Sequence, residues 1–91
     1  MDRITHAVME IALRHIDPAN APLLDGPDAN LASVGMRSLD TVSFICDLEK
    51  SFSIVFPSEM IDDVTFRTIS TVAEAVRSLY KGTDSGDTGI S

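Results

Sequence analysis

The chain has 91 residues, 44% of them hydrophobic, with a net charge of −7 and an isoelectric point near 4.4. That length gives room for one domain with a modest core, the hydrophobic share excludes wholesale disorder, and the acidic balance excludes the basic footprint of a direct nucleic-acid binder. It suits basic patches on protein partners instead. No apolar run reaches the roughly 20 residues of a membrane span. Asp2, Arg3, His6 and Glu10 interrupt the first apolar residues, so no signal-peptide h-region is recognisable and the cytoplasm is the expected compartment. The single cysteine, Cys46, permits neither an intrachain disulfide nor a thiolate pair for zinc.

Ile4, Ala7, Val8, Ile11, Ala12 and Ile16 recur at helical spacing and predict a first helix over roughly residues 2–16, halted by Asp17-Pro18, Pro22 and Gly26-Pro27. The stretch from Asp17 to Arg37 is then a loop longer than the usual 4–6 residues, with Leu31 and Val34 expected to pin it to the core. A second helix is predicted from Ser38 to about Phe52, with Val42, Ile45, Leu48 and Phe52 facing inward. Ile54-Val55-Phe56 has no comparable segment to pair with as a strand and reads as an apolar connector ending at Pro57. A short third helix is placed near Glu59 to Val64, and a fourth starts at a Ser70 or Thr71 cap, buries Val72, Ala75, Val76 and Leu79, and stops at Gly82. This gives a domain over residues 1–82 and a disordered tail over 83–91.

The most informative run is Val34-Gly35-Met36-Arg37-Ser38-Leu39-Asp40-Thr41-Val42. Its glycine-containing turn delivers the Ser38 hydroxyl to the start of an apolar-periodic helix, where a serine can also act simply as an N-cap. The run resembles the phosphopantetheine site of the acyl carrier protein family, with Arg37 standing where the family usually has Asp. The resemblance extends to Asp28-x-x-Leu31-x-x-x-Gly35, Leu48-Glu49-x-x-Phe52-x-Ile54-x-Phe56-Pro57-x-Glu59 and Ile69-x-Thr71-Val72. It implies an all-α four-helix bundle with a short third helix, and 4′-phosphopantetheine attached covalently to Ser38 by a phosphopantetheinyl transferase that draws on coenzyme A. The chain would then be a monomeric carrier and a substrate of its partners, not an enzyme. A phosphodiester on Ser38 would lie at the positive end of a helix dipole, which stabilises anions by roughly 0.3–1 kcal/mol.

No catalytic constellation competes with this reading. His6 and His15 are far from Ser38 in sequence and read as solvated residues of the first helix. Cys46 has only Lys50 near it to lower its pKa and reads as a small apolar residue. Leu39, Ser43, Cys46 and Lys50 form a stripe beside the core face, expected to be partly buried. The resemblance makes this side of the second helix a partner face, with Arg37 and Asp40 beside it and Met60 and Ile61 on the third helix.

Arg37, Ser43 and Lys50 occupy positions where housekeeping fatty-acid carriers commonly have acids, which implies a specialised pathway served by a dedicated synthase, ligase or transferase. The cargo would be an acyl or related thioester of a lipid, polyketide or secondary-metabolite pathway. The alternatives are an amino-acid carrier loaded by a ligase and an unmodified carrier-like adaptor. Phe44, Phe52, Phe56 and Phe66 would fill much of the small interior, so nothing in the pattern requires a deep acyl cavity.

Overall fold

A computed structural model describes residues 2–90 along the backbone and side chains from Asp2 to Tyr80. Its helices are α1 (Arg3–Leu13), α2 (Ser38–Phe52) and α3 (Ile69–Ile90), with 3₁₀ segments at Pro18–Leu23 and Ser58–Met60. α3 runs on past the expected stop at Gly82, and the side chains of the expected tail over 83–91 lie outside the described residues. The remaining described residues contain one isolated antiparallel bridge, Asn30 to Thr68, and no strand. The protein is all-α, as its sequence pattern implies. No described helix is long and apolar enough to cross a membrane.

Asp2 starts α1 as its N-cap, accepting the Thr5 N–H at 3.2 Å and the Thr5 hydroxyl. The same carboxylate lies 2.6 Å from Arg77 Nη2, so the cap also ties α1 to α3. The helix ends at Leu13, three residues before the expected end. Arg14 and His15 donate to Ile11 and Ala12, three residues back, which tightens the last turn ahead of Pro18.

α2 has the expected bounds and a different buried face. Phe44, Ile45 and Leu48 are buried, with Thr41 and Phe52 half-buried, whereas Val42 is 58% exposed. At about 100° per residue the stripe from Phe44 to Ile45 is about 100° wide, and Val42 falls about 60° outside it. Leu39, Ser43, Cys46 and Lys50 lie nearly opposite that stripe, and all four are exposed where partial burial was expected. Phe44 fills the space given to Val42 and meets Phe66 edge-on at 6.5 Å, while Phe66 meets Phe56 at 5.3 Å. Phe52 sits at the margin against Tyr80.

Ser53 closes α2 in the left-handed conformation, and the connector then buries Ile54 and Phe56 on either side of exposed Val55. The third helix is shorter than expected, one 3₁₀ turn at Ser58–Met60 in place of Glu59 to Val64. Asp62 Oδ1 accepts the Thr65 N–H at 2.8 Å, a local turn that competes with helical bonding. α3 begins at Ile69, with Thr68 and not Ser70 or Thr71 as its cap. Thr68 Oγ1 accepts the Thr71 N–H at 3.1 Å, and Thr71 Oγ1 accepts the Thr68 N–H at 3.0 Å. α3 buries Ile69, Val72, Ala73, Ala75 and Val76 and packs along α1, which in turn packs on α2.

Two predictions follow the burial and the α1–α3 tie. Leu48→Ala should cost about 2–5 kcal/mol in denaturant unfolding, whereas Val42→Ala should stay within about 0.5 kcal/mol. Equal costs would mean that the inward face is drawn wrongly. The Thr5 hydroxyl and Arg77 lower the Asp2 carboxyl from 3.8 to about 2. A depressed folded value contributes stability above the unfolded value, and that contribution is lost as pH falls through about 2. Asp2→Asn keeps a capping side chain and removes the charge. It should therefore lower the unfolding midpoint at neutral pH and flatten its fall between about pH 4 and about pH 2.

Candidate functional site

The loop before α2 is fixed from both sides. Leu24, Leu31, Val34 and Met36 are buried in the core, which extends the expected pinning by Leu31 and Val34. Its backbone is joined to the start of α3: Leu31 N–H donates to the Arg67 carbonyl at 2.8 Å, and Ser70 N–H donates to the Pro27 carbonyl at 2.8 Å. The Ser70 hydroxyl also reaches Asp28 Oδ1 at 3.3 Å.

Gly35 then turns the chain with φ +95°, a conformation that side chains with a Cβ rarely adopt. A Cβ there would also come within 2.7 Å of Asn20 Nδ2. Arg37 follows in an extended conformation as the N-cap of α2, and its N–H donates to Asp40 Oδ2 at 3.0 Å, half of a capping box. Thr41 N–H and Oγ1–H both donate to the Arg37 carbonyl, at 2.8 and 3.0 Å.

Ser38 is therefore the first helical residue and not the cap. Its side chain is exposed, and its hydroxyl makes no hydrogen bond to another described residue. The N–H groups of this first turn have no partner within the helix. Beside Ser38 opens a groove of about 490 Å³, to which α2 contributes Ser38 and Thr41 with the preceding Arg37, and the segment before α3 contributes Ile61, Phe66 and Arg67. A free hydroxyl beside a cleft lined by two arginines, along with Asp62 and Asp63, fits a covalent group joined through a phosphodiester.

The other sequence-derived residues divide into three groups. Leu39 (82% exposed), Ser43, Cys46 and Lys50 share the outer side of α2. Asp40 is half-buried and engaged with the Arg37 N–H. Met60 packs against the core, while Ile61 is 48% exposed and lines the groove. Sequence reading missed Val42 on the outer side, exposed Val64 beyond Ile61, and Arg67 in the groove.

Of the histidines, His6 is exposed near Glu10, at 3.9 Å. His15 departs from the expected solvated state. It is half-buried, lies 2.9 Å from Asp47 Oδ2, and packs its ring at a tilt on Phe44. That hydrogen bond, with Arg14 nearby, holds the Asp47 carboxyl below the usual carboxylate range. The arrangement joins the end of α1 to α2, and Arg14 and His15 line a second cleft with Asp40 and with Arg37, which borders the Ser38 groove as well.

Comparison with curated proteins finds no match. The family model for the phosphopantetheine attachment site matches residues 8–76, a span that takes in most of α1, the joined loop, all of α2 and the buried start of α3. Proteins of this family carry 4′-phosphopantetheine covalently on a serine, and such carrier domains are not themselves catalytic; they are modified by phosphopantetheinyl transferases and work with synthases and ligases. With the match running through the whole frame that presents Ser38, the chain belongs to the phosphopantetheine attachment site family.

Proposed function

We propose that Ser38 is the attachment serine and that the protein carries acyl intermediates for a specialised lipid, polyketide or secondary-metabolite pathway in the cytoplasm. The observation that carries the attachment reading is the exposed, unpartnered Ser38 hydroxyl opening on the groove. In loading, Ser38 Oγ forms a bond to the pantetheine-side phosphorus of coenzyme A and the pyrophosphate linkage breaks. Adenosine 3′,5′-bisphosphate leaves, and the hydroxyl proton passes to a base of the transferase. The chain itself needs no base at Ser38, and none of its histidines lines the groove. When bound, the group supplies a terminal thiol that holds cargo as a thioester.

The protein's own contribution is position and recognition. The joined loop and the Arg37–Asp40 cap fix where Ser38 stands, and the outer side of α2 offers a surface to partners. Leu39 and Val42 expose apolar area there, and Ile61 and Val64 expose more after the 3₁₀ turn, a pattern that suits protein contact. Lys50 brings positive charge to the same side, and Arg37 adds an exposed cation just before the helix, which supports a dedicated partner over the basic rims that serve acidic fatty-acid carriers.

Ser38→Ala should unfold within about 0.5 kcal/mol of the parent, because the serine caps nothing. It should gain no mass with transferase and coenzyme A. Modification of the alanine variant would place the site elsewhere. Lys50→Glu restores an acid on the outer side without touching the groove. It should speed single-turnover transfer to a general fatty-acid ketosynthase at low salt, with the gain shrinking as salt screens the rim. Equal rates at all salt concentrations would remove Lys50 from partner choice.

A further inference from the structure

Two arginines from separate segments, Arg37 before α2 and Arg67 before α3, line the groove that holds Ser38. Neither guanidinium has an ion pair or hydrogen bond among the described residues, whereas Arg14 and Arg77 are paired with Asp47 and Asp2. Asp62 and Asp63 also line the groove, and Asp62 Oδ1 is occupied by the Thr65 N–H at 2.8 Å. The lining is thus balanced in charge, two arginines with two aspartates, in a protein whose net charge is −7, and neither arginine is paired with either aspartate. The backbone of Arg67 is held in place, because its carbonyl accepts the Leu31 N–H at 2.8 Å and the next residue, Thr68, bridges Asn30.

We propose that Arg37 and Arg67 together clamp the phosphodiester of the Ser38-linked arm, so that the arm leaves the serine along the groove. This rests on Ser38 being the attachment serine. The planar guanidinium fork matches phosphate oxygens, and two forks can share the single negative charge of a diester. A carboxylate on the cargo is the weaker candidate, since it would sit at the far end of a flexible arm. The diester is fixed at Ser38 Oγ, so its effective concentration beside Arg37 is always high. The clamp makes attachment stabilising, because the loaded state gains contacts that the unfolded chain lacks.

The test loads parent, Arg37→Gln, Arg67→Gln and the double variant at saturating transferase, confirms each by intact mass, and compares them by phosphorus NMR and thermal unfolding. In the loaded parent the phosphorus signal should shift and broaden relative to the double variant, and the loaded form should melt above the unloaded form. Each single substitution should reduce both effects, the double variant should lose them, and high salt should weaken them in the parent. A loaded parent whose phosphorus signal matches the double variant overturns the clamp alone. So does an Arg67→Gln variant identical to the parent. A parent that gains no mass overturns the attachment reading and the clamp with it.

Discussion

The placement of Ser38 depends on the seam between the loop of residues 27–36 and the start of α3. A chain segment of this length has many conformations, and ordering each residue costs roughly 1–2 kcal/mol of backbone entropy. Burial of Leu31, Val34 and Met36 offsets that cost, and the hydrogen bonds from Leu31 to Arg67 and from Ser70 to Pro27 set the register. Only with the loop held in this way does the turn at Gly35 aim the chain into α2 with Ser38 outward. The same seam brings Arg67 to the groove, so the frame that presents the serine also furnishes its surroundings.

Charge in this acidic protein is sorted by position. Asp2 with Arg77 closes α1 on α3, and Asp47 with His15 and Arg14 closes α1 on α2. Such partly exposed pairs contribute modestly to stability. Arg37, Lys50 and Arg67 stay without ion pairs around the serine and the outer side of α2. A negative net charge therefore coexists with unpaired cations beside Ser38, in a groove that Asp62 and Asp63 also line.

Much of this was legible in the sequence because it is local. The bounds of α2, the connector at Ile54 to Phe56 and the pinning of the loop by Leu31 and Val34 all follow from short-range apolar spacing and breakers. Val42 was misplaced because spacings of three, six and ten residues drift around a helix, whereas Phe44, Ile45 and Leu48 mark its true inward side. Ser38 looked like a cap because serine favours that position, but Asp40 accepts the Arg37 N–H and moves the cap one residue earlier. His15 and Asp47 are 32 residues apart, and Arg67 reaches the groove only through the seam, so neither contact leaves a periodic trace. The Asp62 turn that shortens the third helix shows in the sequence only as an acidic pair that helices also tolerate.

The central claim is that this frame presents Ser38, among all the hydroxyls of the chain, for modification. Fragmentation mass spectrometry of the proteolysed, loaded protein tests it most directly by locating the added group on a single residue. The account predicts that the group lies on Ser38 alone. Its location on Ser33, Thr41 or Ser43, in a protein that loads efficiently, would contradict it.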